Sequence, residues 1–438
     1  MAWLMNVLLF GLLLVVMTVW VLLPWPGAVA LAVLLAAWLL FTRRGRQALS
    51  VANVGISTLS QRLGATAVIV VGIAGVVGVL VALLSMAEGY SETLRKTGSD
   101  DTAVVMRGAS ASEVMSVLGR DSVTLIPQAP GIARNDKGEP IASEELVVAA
   151  NLPVKSGGPD EEGSVQLRGV SEQAWAVRPQ VKIIAGRRFA PGLRELIVGR
   201  GAAQQFAGMT PGNVVRLGAQ NWTVVGVFAS GDAMESEIWA DANVVADTYH
   251  RGGSRASVTV RLADRQAFNA FKTALESNPQ LKVDVSTTLD YFNKQSEGVT
   301  KVLRIIGITV GAIMAVGAMF GALNTMFAAV AARAREIATL RAIGFSGLPV
   351  VVAVMLETML LALIGGIVGG LVAYLVFNGY GASTMAGGSV GKLSFELRVS
   401  PELLWTGLKW ALAIGFIGGL FPAMRAARLP VTTALREL

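Results

Sequence analysis

Catalysis needs nucleophiles, bases or metal ligands at close spacing, and this sequence offers few of them. It has no cysteine and a single histidine, His250 in His250-Arg251-Gly252-Gly253. No thiolate site and no Ser/His/Asp set is available beyond that lone residue, which reads as a surface side chain, and a transition-metal centre lacks ligands. The acidic groupings Glu161-Glu162 and Asp232…Glu235…Glu237 lack metal-ligand spacing and read as solvated loop charges. No Gly-x-x-x-x-Gly-Lys-[Ser/Thr] occurs, so the chain cannot cradle a nucleoside triphosphate in a P-loop, and any energy from ATP must enter through another polypeptide. The informative residues lie instead in Arg333-Ala334-Arg335-Glu336-Ile337-Ala338-Thr339-Leu340-Arg341-Ala342-Ile343-Gly344. Ile337, Leu340 and Ile343/Gly344 recur at helical spacing while Arg335, Glu336 and Thr339 fall on the other face. Such a segment can lie along a membrane surface and offer charges to a soluble partner. Glu357 follows inside an apolar run, where an unpaired carboxylate costs about 2.5–3.5 kcal/mol at the bilayer centre; pairing with an arginine is expected rather than ion coupling.

These residues belong to a chain with the composition of an integral membrane protein: 53% hydrophobic, 15% charged, 49 glycines and a mean hydropathy of +0.57. Apolar runs at 3–23, 27–41, 65–86, 302–332, 348–377 and 403–421 predict six spans. Pro24-Trp25-Pro26 makes the first two a helical hairpin. A cleaved signal peptide is disfavoured, since no Lys or Arg precedes the first run and the run exceeds a signal core of about 7–15 residues. Residues 90–296 are balanced, with 22 basic and 23 acidic side chains, so the basic excess lies in the membrane part. Arg43, Arg44, Arg46 and Arg62, then Arg333, Arg335 and Arg341, then Arg425, Arg428 and Arg436 all fall on one side if spans alternate. The positive-inside rule makes that side cytoplasmic, with both termini, and puts residues 90–296 outside. The pI of about 9.8 is thereby explained and lends no support to nucleic-acid binding.

The outer segment reads as an α+β domain. Strands are expected at 102–107, 145–151, 164–168, 195–198, 214–217, 222–228, 237–239 and 257–262, and helices at 112–118, 201–206 and 265–275. Asn135-Asp136-Lys137-Gly138 and residues 157–163 are loop signals. If the connections at 88–89 and 288–301 are helical, they form a stalk. Within the spans, Gly317 and Gly321, and Gly365/Gly369 with Gly366/Gly370, are Gly-x-x-x-Gly patterns that allow close helix approach, either to a second copy or within one chain.

From about Val51 onward the chain resembles the permease subunits of MacB/FtsX-type ABC transporters. The resemblance rests on four stretches. They are an amphipathic lead-in, Val54-Gly55-Ile56-Ser57-Thr58-Leu59-Ser60-Gln61-Arg62; the series Gly186-Arg187-Arg188-Phe189, Glu195-Leu196-Ile197-Val198-Gly199 and Trp222-Thr223-Val224-Val225-Gly226-Val227, similar to the MacB periplasmic core domain; the Arg-x-Arg-Glu-Ile-x-x-Leu-Arg-x-Ile-Gly loop; and the tail Gly419-Leu420-Phe421-Pro422-Ala423-Met424-Arg425-Ala426-Ala427-Arg428-Leu429-Pro430. The resemblance implies a membrane α-helical fold, a four-span FtsX-like core plus an extra N-terminal two-helix hairpin, with a large extracytoplasmic α+β domain. It divides the chain into a hairpin (1–42), the lead-in and its span (50–89), a periplasmic core domain (90–296) and a three-helix membrane region (297–438).

It further implies a non-catalytic permease in a bacterial inner membrane that works by mechanotransmission in efflux or envelope export. Residues 333–344 are then the coupling helix that contacts the ATPase, with Arg333, Arg335, Glu336, Ile337, Leu340, Arg341 and Gly344 as its coupling residues. MacB carries a fused ATPase domain; here the ATPase, with its ATP and Mg, is expected as a separate chain, as in the lipoprotein-releasing Lol systems. A second permease copy or paralogue and a periplasmic adaptor complete the expected partners. The alternative of another class is an FtsX-like regulator that activates a periplasmic partner such as a cell-wall hydrolase. The hairpin lies outside the family's four-span pattern, and cargo is not legible in any residue.

Overall fold

The computed structural model describes residues 15–16, 19–57, 59, 63–155, 161–385 and 391–428. Most of the expected first span, Thr58 and Ser60 to Arg62 of the lead-in, residues 157–160 of the acidic loop and the tail from Leu429 on, Arg436 included, lie outside them. Apolar runs become helices in a bilayer because only a helix or a closed barrel satisfies every backbone N–H and C=O without water. Among the described residues four helices are long and apolar enough to cross: Leu63–Thr97, Thr288–Ala332, Gly347–Phe377 and Pro401–Arg428.

The expected second span, 27–41, lies in a bent pair of helices at residues 25–57, which makes five candidate spans among the described residues if the pair counts as one. The helix Trp25–Phe41 has 17 residues and bends by 95° into a second helix, Arg43–Ser57. At about 1.5 Å per residue the first is about 26 Å long, short of a hydrocarbon core of about 30 Å. The bend has local causes. Thr42 leaves the helical region, its Oγ1 donates to Trp38 O at 2.8 Å and accepts the Gly45 N–H at 2.9 Å. Gly45 is required there, because a Cβ would lie 2.6 Å from Leu39 Cα. The amphipathic helix therefore starts at Arg43, upstream of the expected lead-in at Val54.

Two units make up the chain: Met1–Ser85 with Leu303–Asn378 and Arg398–Leu438, and Met86–Val302 with Gly379–Leu397. In the first, helix Gly347–Phe377 uses both glycine pairs within the chain. A Cβ at Gly365 would lie 2.9 Å from Val70 O, and one at Gly369 2.9 Å from Ala74 Cα. On the adjacent stripe, a Cβ at Gly366 would lie 2.8 Å from the Ala411 Cβ, and one at Gly370 3.3 Å from Leu404. Ile73, Val77, Leu361, Ala362, Ala411 and Ile414 fill the core that these approaches create. Gly317 and Gly321 differ, for no described atom lies within 4 Å of a Cβ built at either.

The second unit is the α+β domain, built on a ten-stranded sheet with order β10-β1-β9-β2-β3-β8-β5-β7-β4 and β6 paired to β7. The strands are β1 Thr102–Arg107, β2 Ala142–Pro153, β3 Glu162–Val170, β4 Lys182–Gly186, β5 Glu195–Gly199, β6 Val214–Leu217, β7 Gln220–Ala229, β8 Glu237–Asp241, β9 Ser257–Arg261 and β10 Val283–Thr287. Pairing is antiparallel except β3 with β8 and β5 with β7. The 12-residue β2 serves two lobes: Ala142–Glu145 pair with β9, and Leu146–Pro153 pair with β3. One lobe buries Val105, Ile126, Val258, Phe271 and Val285; the other buries Leu152, Leu167, Val198, Trp222 and Ile238. All eight expected strands are present. The expected helix at 112–118 is only a 3₁₀ turn, Glu113–Met115, while those expected at 201–206 and 265–275 form as Arg200–Gln205 and Ala267–Glu276.

A hairpin of β11 Gly381–Met385 and β12 Lys392–Glu396, absent from the expectations, belongs to this unit rather than to the membrane helices flanking it. Ser394 N donates to Ser236 Oγ at 2.9 Å, and the Phe395 ring meets Tyr90 edge-on at 5.7 Å. Both connections expected as stalk are helical, the unit division falling within Leu63–Thr97 and Thr288–Ala332.

Candidate functional site

The charged segment forms the helix Ala334–Ala342, with Arg333 at its N-cap and Ile343 at its C-cap. Gly344 has φ of +106°, a left-handed conformation that glycine adopts without steric cost and that turns the chain toward the next span. Ile337 and Ala338 are buried and Leu340 is half-buried, whereas Arg335, Glu336 and Thr339 are exposed, as the periodicity predicts. Ile343 departs from it: past the last helical turn, its side chain is 69% exposed.

Arg333, by contrast, does not face outward. Its guanidinium turns inward, Nη1 donating to Glu357 Oε2 at 2.8 Å, while Nε lies 3.5 Å from Glu336. Glu357 is buried, so this pair supplies the arginine partner that its position in an apolar helix demands. Gly55 of helix Arg43–Ser57 closes over the pair: a Cβ there would lie 2.8 Å from Arg333 Nη2 and 2.9 Å from Glu357 Oε2. Val51 and Ala52 of the same helix pack with Ala353, Leu340, Phe345 and Leu356. The segment thus rests on a built platform and presents Arg335 and Glu336 outward.

A second charged residue inside the membrane unit escaped sequence reading. Lys409, in helix Pro401–Arg428, is buried; its Nζ donates to Val21 O at 2.5 Å and Leu23 O at 3.4 Å, and Trp20 Nε1 donates to Lys409 O at 3.0 Å. One lysine within Leu408-Lys409-Trp410 of an apolar run was the available signal.

In the α+β domain, Arg168 of β3 is 1% exposed and spends all five N–H bonds on carboxylates. Nε and Nη2 reach Glu237 at 2.7 and 2.9 Å, Nη1 and Nη2 reach Glu113 at 3.0 Å each, and Nη1 reaches Glu145 at 2.8 Å. Glu145 also holds Arg178, Glu113 accepts from Ser257 Oγ at 2.6 Å, and Glu237 accepts from Trp239 Nε1 at 3.0 Å and Gln166 Nε2 at 2.7 Å. Burial alone would raise the Glu145 pKa, but Arg178 and Arg168 together hold it below the ordinary value. Burial opposes the charge on Arg168 too, yet Glu113 and Glu237 hold its pKa well above the usual one. Tyr291, at the start of Thr288–Ala332, accepts the Glu113 N–H at 3.1 Å; burial and then Glu113 push its phenol upward. Three carboxylates against two guanidiniums leave a formal net charge of −1 in the interior, at the place where β2 passes between lobes.

Asp232 and Glu237 are therefore not solvated loop charges. Both are buried, and burial raises the Asp232 pKa while Ser230, the Met234 N–H and Gln180 partly offset it. Glu235 is half-buried and ion-paired to Arg200 at 3.0 Å. Glu161 and Glu162 are exposed, as is His250. Among the described residues no cluster of three His, Asp or Glu side chains could hold a metal ion. The network is structural: it ties both lobes to the start of a long helix.

Comparison with known proteins agrees with this architecture. A model of the MacB-like periplasmic core domain matches residues 66–278, and one of the FtsX-like permease C-terminal region matches residues 308–431. The ABC transporter permease YknZ of Bacillus subtilis is 25% identical over 313 residues, which cover 67% of this chain and 75% of YknZ. The macrolide export ATP-binding/permease protein MacB of Shewanella oneidensis is 24% identical over 439 residues, covering 92% of this chain and 62% of MacB. This chain thus spans less than two thirds of that relative's length. The solved periplasmic region of MacB from Actinobacillus actinomycetemcomitans is 17% identical, with a TM-score of 0.35, over 45% of this chain and 92% of the other. A periplasmic core domain followed by an FtsX-like region, on a chain whose described residues include four apolar membrane-length helices and whose sequence has no P-loop motif, makes this protein a member of the MacB/FtsX-type ABC transporter permeases.

Proposed function

We propose that the helix Ala334–Ala342 is the coupling element through which a separate ABC ATPase, carrying ATP and Mg, drives this permease. The observation that carries the reading is its two-sidedness. Ile337 and the Arg333–Glu357 pair anchor one face, while Arg335 and Glu336 stand exposed on the other. A rigidly seated helix with unburied charges transmits a push from a docked protein, whereas a loosely tethered one absorbs it. In this reading movement passes along Leu63–Thr97 and Thr288–Ala332 into the core domain, which performs efflux or envelope export in the periplasm by mechanotransmission. The functional assembly contains two permease chains, identical or paralogous, and a periplasmic adaptor, in a bacterial inner membrane with both termini cytoplasmic.

The test is charge reversal, Arg335→Glu with Glu336→Arg, in the full chain. Co-purification of a Walker A-containing partner should fall about tenfold or more, as expected when a few charged contacts across an interface are inverted. Wild-type levels of partner binding and of stimulated ATP hydrolysis would remove the helix from the coupling role. Capture of a peptidoglycan hydrolase on residues 90–296, in place of an adaptor, would move the reading to a regulator of envelope remodelling.

A further inference from the structure

Lys409 and the proline turn at Pro24 solve one physical problem together. Residues 19–22 are helical and end at Leu23-Pro24, and neither Pro24 nor Pro26 has an N–H to offer the preceding carbonyls. Helix Trp25–Phe41 is too short to carry this turn across a bilayer if its other end, at Thr42-Arg43-Arg44, stays at the cytoplasmic interface. Lys409 lies about 12 Å along helix Pro401–Arg428 from its first residue, at a rise of about 1.5 Å per residue, and so is also inside the apolar layer. Carbonyls without donors and an ammonium without acceptors are each costly there. They meet: Nζ serves Val21 O and Leu23 O, and the Trp20 indole returns a hydrogen bond to Lys409 O.

We propose that Lys409 is a positioning residue that locks the turn at residues 20–24 onto the permease core and thereby sets the platform under the coupling helix. From the lock the chain continues through Trp25–Phe41 and the 95° bend into Arg43–Ser57. That helix places Val51 and Ala52 against Leu340 and Phe345, and Gly55 against Arg333 and Glu357. Residues 20–57 accordingly act as a built-in brace. The lock itself stands on the contacts alone; its effect on coupling rests on the function proposed above.

The experiment places the photoreactive residue p-benzoylphenylalanine at Leu23 in the full chain and measures cross-linking to the peptide spanning residues 401–428. Lys409→Arg should keep the cross-link. Lys409→Met, which keeps the bulk and removes the ammonium, should lower its yield about tenfold, the scale of a lost charged hydrogen bond. A yield within twofold of wild type overturns the lock. If Lys409→Met does not accumulate, Trp20→Phe carries the test: it removes one indole N–H and should lower the yield about two- to fivefold, and an unchanged yield again overturns the lock. Stimulated ATP hydrolysis by the co-purified partner, measured in parallel, should fall with the cross-link in Lys409→Met and recover in Lys409→Arg. Loss of the cross-link with full stimulation overturns the bracing role. Failure of the coupling reading would show instead as normal partner binding in the Arg335→Glu, Glu336→Arg chain.

Discussion

Replacing Arg168 by Met puts a number on the buried network. The substitution removes all five hydrogen bonds of a side chain that is 1% exposed and changes the formal charge of the cluster from −1 to −2. Glu145 keeps Arg178, but Glu113 is left with Ser257 and Glu237 with Gln166 and Trp239, all neutral donors. Breaking a buried ion pair by removing one partner costs about 3–5 kcal/mol, and with two carboxylates stranded the upper half of that range applies. For a domain of about 200 residues this lowers Tm by about 8–20 °C. The assay is thermal unfolding of the full chain in detergent, followed by tryptophan fluorescence, to which the buried Trp222 and Trp239 report. Arg168→Met combined with Glu113→Gln and Glu237→Gln removes the stranded charges and should recover most of the loss. A Tm within about 2 °C of wild type, or a triple variant no better than the single one, would refute the reasoning.

Other perturbations separate the remaining roles. Gly369→Leu should abolish accumulation of folded protein, because even a Cβ meets the Ala74 backbone, whereas Gly317→Leu should be tolerated within one chain; equal yields of the two variants would contradict the packing described. Glu357→Leu leaves Arg333 without its buried partner and should destabilise the chain by about 3–5 kcal/mol, with Glu357→Gln milder, as read by unfolding in detergent. Arg187→Ala breaks an ion pair whose arginine is 59% exposed and should leave the unfolding midpoint close to that of wild type, so a clear loss would show that Glu195 does more than pair. The depressed native pKa of Glu145 makes its contribution complete above the unfolded value near 4.5 and lost only as pH falls through the lower native one. Wild-type unfolding scans should therefore show this part of the stability intact at pH 5 and disappearing in stronger acid.

Elements with an uninterrupted period were legible from sequence. The runs that became Thr102–Arg107, Val214–Leu217 and Gln220–Ala229 are rich in β-branched residues, and the long apolar runs have no competing reading. β4 escaped because Lys182–Gly186 is a mostly exposed edge strand, and β10 because Val283–Thr287 runs directly into a helix that absorbs its signal. The outward face of the charged segment at 333–344 followed from its spacing, while the inward turn of Arg333 depends on Glu357 arriving from the next helix. The network was invisible for a related reason. Its charges come from β2, β3, β8 and two short helical turns, and only the fold brings them together. Arg168 left one trace, a charge between apolar neighbours in a strand covered on both faces.

The β11–β12 hairpin changes what counts as the extracytoplasmic domain. Its residues are made after helix Gly347–Phe377, yet Gly379–Leu397 complete the unit begun at Met86. Folding of that unit during synthesis therefore stays unfinished until a second membrane-length helix beyond its start has emerged from the ribosome, leaving Ser236 and the Tyr90 ring uncovered in the interval. A fragment cut at residues 90–296 for study in solution would keep that gap permanently, and one that joins residues 379–397 back through a short linker would close it.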